Sequence, residues 1–400
     1  MENGQQRRDQ RCRSDRRHAR RPMSSRLVAL ASLGALLSPG LGHASDGPCR
    51  PNAAAADAAD ARMDARMHRS PQWDPKNRVF HNTKKVTVMA KKASTWDQLK
   101  RFIANGNITR PPQRLPETKP DLRAFLKDPK ALKTIWLGHS TVLLQMAGEV
   151  VVFAPVLSTY ASPVPGVIKR FQPPVLSVRE LPTIDMIVIS HDHYDHLDRT
   201  TVRQFRQKKT RFLVPLGVGA HLRGWGIAAD RITELDWWES HVHGGLTYTL
   251  TPAQHFSGRG LTDRNATLWG SWVVRSPTQR VFFSGDGGYN SHFKKIGAKY
   301  GPFDVVYLEN GQYSPDWPTI HMMPSDGARA AVDLRGRRMV PIHWGMFDLS
   351  SHNWWDPIEA ISREAKARGV DLMTPLIGQV VDVRIDRNFT RWWAPLIGKE

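Results

Sequence analysis

The residues His191-Asp192-His193-Tyr194-Asp195-His196-Leu197-Asp198 follow directly on the apolar segment Met186-Ile187-Val188-Ile189. In an extended start, His191 and His193 share one face while Asp192 and Tyr194 point to the other. Once the chain turns, Asp195 and His196 can face back towards the first pair. Three imidazoles and a carboxylate brought that close destabilise a fold unless something binds them, and a metal cation is the partner these groups suit. The sequence has two cysteines, Cys12 and Cys49, and the first falls in a segment that reads as a cleaved leader. No internal disulfide and no thiolate metal site are therefore expected, so nitrogen and oxygen must hold any metal.

The elements that carry such a site must end where it begins. Met186 to Ile189 reads as a buried strand stopping at the polar cluster. Further along, His255 follows Thr251-Pro252-Ala253-Gln254, Asp286 sits in Phe283-Ser284-Gly285-Asp286-Gly287-Gly288-Tyr289, and His343 ends Met339-Val340-Pro341-Ile342. Each terminates an apolar run. Ligands on the ends of several strands converge on one edge of a sheet, which builds a rigid site from distant sequence. Tyr194 and Tyr289 are candidates for its pocket wall, a role that position alone does not establish.

Strand-like runs cover Ile135 to Leu144 and Glu149 to Phe153, an expected opening hairpin, and recur at 212–215, 246–251, 269–274, 281–284, 304–308, 339–343 and 380–385. Helical patterns fit 325–334 after Pro324 and 358–368 after Pro357. Strands with helices between them indicate an α/β (α+β) chain of two sheets, each covered by helices.

Four segments are expected. Residues 1–44 read as a signal peptide, with a basic flank, the 11-residue apolar stretch Leu27 to Leu37 and small residues before Ser45; Met23 is a second candidate start. That stretch is too short to span a bilayer. Residues 45–72 are Ala/Asp/Arg-rich and read as a flexible linker, 73–133 as short helices and loops wrapping the main domain, and 134–400 as the catalytic domain. The formal charge is +20, of which nine Arg against three acids in residues 1–44 carry +6, leaving +14. Such a chain is drawn to anions, including acidic lipid surfaces and phosphorylated substrates. No helix-turn-helix, RNA-binding or zinc-finger pattern accompanies the charge, so nucleic acid is not an expected partner. Oligomeric state is not legible.

The run His191 to His196 matches the HxHxDH signature of the metallo-β-lactamase superfamily, and the chain resembles that superfamily. Within it, the resemblance is closest to N-acylphosphatidylethanolamine phospholipase D and its bacterial relatives. The similar pieces include Trp136-Leu137-Gly138-His139-Ser140-Thr141, Lys169-Arg170-Phe171, Glu234-Leu235-Asp236-Trp237-Trp238, Leu268-Trp269-Gly270-Ser271-Trp272 and Pro341-Ile342-His343-Trp344-Gly345. They occur in order between about residues 134 and 350.

The resemblance implies a four-layer αββα sandwich holding two metal ions. It puts His191, His193 and His255 on one metal, Asp195, His196 and His343 on the other, and Asp286 between them. His139, Asp198 and Asp236 are expected to stand behind these ligands. Zinc is the implied metal, and the ligand types also admit iron or manganese. Two such ions lower the pKa of water and stabilise charge on attacking and leaving oxygens, so hydrolysis is the implied chemistry. The implied substrate is N-acylphosphatidylethanolamine, cut to N-acylethanolamine and phosphatidic acid, with peripheral membrane association and an exported, periplasmic or envelope location. Asp286 and His321 are the expected catalytic residues, His321 contacting phosphate or protonating the leaving group. One departure stands out: where the family has Asp-Pro after its second strand, this chain has Ala154-Pro155. Two alternatives fit the same residues, a metallohydrolase of a small ester or sugar-phosphate lactone and a non-catalytic envelope binding protein.

Overall fold

The computed structural model describes residues 61–88, 107–385 and 387–398. After a short hairpin of β1 (Trp73–Asp74) and β2 (Val79–Phe80), the strands form two seven-stranded sheets. The first sheet contains β3 (Lys133–Trp136), β4 (Val142–Met146), β5 (Glu149–Phe153), β6 (Met186–Val188), β7 (Arg211–Pro215) and β8 (Ile232–Leu235). The second contains β9 (Ser240–His243), β10 (Leu246–Thr251), β11 (Ser271–Arg275), β12 (Arg280–Phe283), β13 (Val305–Glu309), β14 (Arg338–Ile342) and β15 (Asp371–Leu372). The last strand, β16 (Val380–Asp382), returns to pair with β3, giving the order β16-β3-β4-β5-β6-β7-β8 against β15-β14-β13-β12-β11-β10-β9.

Strands such as Val150-Val151-Val152-Phe153 are apolar on both faces and need cover on each. Val142, Leu144, Val151, Phe153, Met186 and Val188 face the second sheet, and the Phe153 and Phe283 rings stack across the gap at 4.6 Å. Deleting either ring would cost on the order of 3–5 kcal/mol. The alternate residues Leu143, Val152, Ile187, Phe212 and Val214 pack under α1 (Leu122–Leu126), α2 (Arg199–Arg203) and α3 (Gly219–Gly224). On the far side, Phe282, Val306 and Val340 lie among residues of α4 (His292–Tyr300), α5 (Pro324–Asp333) and α6 (Asp356–Ala367). The result is the expected four-layer αββα order.

Strand direction explains where the site falls. β5 to β8 are parallel, as are β12 to β15. β3 and β10 regain the same direction through two antiparallel steps each. The C-terminal ends of the parallel strands therefore open together, which is where α/β sheets place ligands.

Several details differ from the sequence reading. The run from Ile135 to Leu144 breaks into β3 and β4, because Gly138 (φ 94°) and His139 (φ 51°) turn the chain through left-handed backbone. β8, β9 and α4 had no expectation, since ITEL and SHVH are short and half polar. The segment expected as a linker is ordered from 61 on: 61–67 is helical, and Met63 and Met67 pack against the core as one apolar edge four residues apart. Residues 1–60, with the expected leader, and 89–106 of the wrapping segment lie outside the described residues. Among the described residues no helix is long and apolar enough to cross a membrane.

Candidate metal centre

Each expected ligand hangs on the end of a strand or just beyond it. His191 follows β6, His255 follows β10, Asp286 follows β12 and His343 follows β14. The turn after His191 brings back Asp195 and His196, helped by the backbone bonds His196 N–H to His193 O at 3.1 Å and Leu197 N–H to His193 O at 2.8 Å. All seven expected ligands come together. His191, His193, His255 and Asp286 form one group, and Asp195, His196 and His343 form another with His139; within each, the donor atoms lie within 4.8 Å of one another.

Asp286 joins the two groups. Its Oδ2 lies 3.0 Å from His196 Nε2 and 3.0 Å from His343 Nε2 on one side. On the other it lies 3.8 Å from His191 Nε2 and 3.9 Å from His255 Nε2. His193 turns its Nδ1 inward, 2.9 Å from His191 Nε2 and 3.3 Å from His255 Nε2. Asp195 Oδ2 is 2.9 Å from His139 Nε2 and 3.1 Å from His343 Nε2.

The electrostatics suit a cation. Burial works to raise the Asp286 carboxyl, yet facing His196 and His343 hold it well below the usual carboxylate range. Burial also works against charge on His196, but Asp286 and Asp195 draw it up to about 9. His343 is likewise raised against its burial, by Asp286 and then Asp195. His191 and His255, by contrast, are pushed well down by burial and by neighbouring imidazoles. Asp286 Oδ1 and His196 Nδ1 are buried with no hydrogen-bond partner among the described residues. Nitrogen and oxygen donors packed this tightly, with polar atoms unmatched, fit one or two divalent ions.

Surrounding groups fix the rings. His255 Nδ1 is 2.9 Å from Ile320 O, which makes it the protonated nitrogen and turns Nε2 inward. The His255 backbone is clamped by Asn82, whose Nδ2 donates to its carbonyl at 2.8 Å and whose Oδ1 accepts its N–H at 3.1 Å. His139 and His343 share left-handed backbone (φ 51° and 67°) and a reciprocal pair of bonds, His343 N–H to His139 O at 3.0 Å and His139 N–H to Trp344 O at 3.2 Å. Such strain persists only where the surroundings over-determine it.

The supporting residues divide. His139 touches the cluster as expected. Asp198 meets no ligand ring: its carboxylate caps α2 through Thr200 N–H at 2.9 Å and holds Ser158 N–H at 3.0 Å, joining the β5 loop to the motif. Asp236 is a correction. It ends edge strand β8, accepts the Trp237 N–H at 2.7 Å and faces Ser70, Glu239 and Arg66, so it caps a turn and makes no bond to a ligand among the described residues. Tyr194 donates to Arg259 O at 2.7 Å and Tyr289 donates to Asp333, so neither hydroxyl is aimed at the cluster. Ala154 is fully buried with φ 41°.

Two carboxylates have supporting roles that the sequence does not show. Asp192, behind the motif, accepts Gly258 N–H at 2.8 Å and Thr267 Oγ1 at 3.0 Å, tying the loop after His255 to the metal turn. Glu309, fully buried, ends β13 beside His321, with Oε2 2.9 Å from His321 Nδ1. Its signal was an acid directly after Val305 to Leu308, the pattern that exposed His343.

A four-layer sandwich with a His/Asp cluster where its parallel strands end defines a candidate metalloprotein. A family model described as a β-lactamase superfamily domain matches residues 152–344. An uncharacterised protein of Mycobacterium tuberculosis is 43% identical over 297 residues, covering 73% of this chain and 79% of its own. The N-acyl-phosphatidylethanolamine-hydrolyzing phospholipase D 1 of Caenorhabditis elegans is 36% identical over 252 residues, 58% of this chain and 69% of its own. A Veillonella parvula structure described as a possible metal-dependent hydrolase shares the fold, with TM-score 0.52 and 16% identity over 63% of this chain and 99% of that one. The chain belongs to the metallo-β-lactamase superfamily and is a metallohydrolase of that fold.

Proposed function

We propose that the chain is a phosphodiesterase of phospholipase D type that holds two zinc ions and cleaves N-acylphosphatidylethanolamine to N-acylethanolamine and phosphatidic acid. The observation that carries this reading is the position of Asp286 Oδ2, within 3.9 Å of four imidazole nitrogens drawn from both groups. The substrate rests on similarity to the worm phospholipase D. His191, His193 and His255 would hold one ion, Asp195, His196 and His343 the other, and Asp286 both. The bound ions would lower the pKa of water and stabilise charge on the attacking and leaving oxygens.

The chain's own part is orientation and proton transfer. Ile320 O and Asn82 fix His255, and the His139 to His343 backbone pair fixes the opposite wall. His321, with its side chain 12% exposed and its ring 5.4 Å from the His343 ring, stands at the accessible side of the cluster. As water attacks phosphorus and the bond to the ethanolamine oxygen breaks, His321 gives that oxygen a proton. The chain's excess of basic residues favours association with an anionic lipid surface, and residues 1–44 direct export to the periplasm or envelope.

The test is hydrolysis of N-acylphosphatidylethanolamine vesicles and of bis(p-nitrophenyl) phosphate by the purified chain. Release of N-acylethanolamine and phosphatidic acid is the expected result. Cleavage of the small diester alone would keep a phosphodiesterase and remove the lipid substrate, and cleavage of neither would refute the phosphodiesterase reading.

A further inference from the structure

His255 is oriented by Ile320 O, whereas His321 and His343 turn their Nδ1 edges towards a buried carboxylate. Glu309 is the last residue of β13 and lies in parallel register with Ile342, the residue before His343. Its side chain is sealed from solvent. Its backbone N–H donates to Ser284 Oγ at 3.0 Å, two residues before Asp286, so the carboxylate is anchored in the sheet that carries the bridging ligand. Oε1 accepts the Met322 N–H at 2.5 Å. Oε2 is hydrogen-bonded to His321 Nδ1 at 2.9 Å and lies 3.5 Å from His343 Nδ1, an ion-pair distance at which its charge, rather than a hydrogen bond, acts on that buried nitrogen. The two rings are near parallel, 17° apart, so one oxygen faces the same edge of both.

A buried ionised carboxylate is an acceptor only and is costly without donors. A neutral imidazole carries one N–H, and a carboxylate on its Nδ1 side keeps the proton there. We infer that Glu309 is a positioning residue that fixes the Nδ1–H form of both His321 and His343, so that Nε2 is the nitrogen each offers to the reacting centre. For His343 that is the atom 3.0 Å from Asp286 Oδ2 and 3.1 Å from Asp195 Oδ2. For His321 it is the ring nitrogen free to take up a second proton, beside the Glu309 carboxylate that stabilises the imidazolium, and to pass that proton to the leaving oxygen. One side chain thus couples the second half of the metal cluster to the proton donor. The inference rests on the metal and acid/base roles proposed above.

The experiment uses the full chain labelled with ¹⁵N-histidine. Long-range ¹H–¹⁵N spectra assign the tautomers, and zinc affinity is measured by competition with a chromophoric chelator, for wild type, Glu309→Gln and Glu309→Asp. Both rings are expected to be Nδ1-protonated in wild type. In Glu309→Gln at least one ring should change or mix tautomers, the weaker zinc should bind roughly 10–100-fold less tightly, and kcat should fall with KM nearly unchanged. Glu309→Asp should recover part of both losses. A His321 or His343 ring protonated on Nε2 but not on Nδ1 in wild type overturns the inference, as does a Glu309→Gln chain with wild-type tautomers and zinc affinity. Should Glu309→Gln fail to fold, the wild-type tautomers still decide. A wild type that binds no zinc would defeat the metal reading alone, since a His321 ring in the zinc-free chain with its proton on Nε2 and none on Nδ1 would still refute the role of Glu309.

Discussion

Asp348 offers a sharp energetic test of the wall beside the cluster. It lines a small open crevice with Thr109, Phe171, Trp344 and Phe347, and the Phe347 ring meets His139 edge-on at 5.0 Å. Burial pushes its carboxyl from the ordinary 3.8 up to about 6, against the opposing hydrogen bond from Thr109 Oγ1 at 2.8 Å and the charge of Arg110. An acid with a raised folded pKa binds more protons folded than unfolded between those values, so stability is lost as pH rises from about 4 to about 6. The cost of keeping it ionised above that window is about 3 kcal/mol, at 1.36 kcal/mol per pKa unit. Asp348→Asn keeps an acceptor for Thr109 and removes the charge. Urea unfolding of wild type and variant should give a stability difference near zero at pH 4 that grows to as much as about 3 kcal/mol in the variant's favour at pH 7.5. A gain that does not change with pH, or a loss at pH 7.5, would refute the burial argument.

Gly311 packs so closely beneath His343 that an added Cβ would fall 1.7 Å from the His343 carbonyl oxygen. Gly311→Ala should therefore displace that ligand's backbone, lowering bound metal and cutting turnover at least about tenfold, as read by metal analysis and initial rates. Asp192→Ala strips the buried acceptor from Gly258 N–H and Thr267 Oγ1. It should cost about 3 kcal/mol and speed amide exchange at Gly258. Because burial is outweighed at Asp192 by its bond to His221, its carboxyl lies below the usual range, and the wild-type advantage should fade as pH drops below about 4.

Much of the centre was legible because its ligands share one grammar: a polar residue closing an apolar run. His255, Asp286 and His343 all obey it, and parallel strand direction turns those endings into one place. Glu309 obeys it too, yet went unread because the run was closed at Leu308. Asp236 obeys it and misled, since β8 lies at the outer edge of its sheet and its ending meets residues 66–70 rather than the cluster. Asp192 was correctly read as facing away from the ligands, but its partners at 258 and 267 are long-range contacts that no local pattern shows. The left-handed backbone of His139 and His343 is equally silent in sequence, because non-glycine residues adopt it only under tertiary constraint. The helix α4 had no expectation in the sequence and carries Gly297 in its interior. Its bare Cα lets α4 approach α5, where a Cβ would lie 2.0 Å from Asp333 O.

The central claim is that Asp286 joins two metal sites. Metal content per chain, measured by mass spectrometry after identical zinc loading and dialysis of wild type and Asp286→Ala, tests it most directly. The expected result is about two zinc ions in wild type and one or fewer in the variant, since the bridging carboxylate serves both. Two ions retained in Asp286→Ala, or none in wild type, would contradict it.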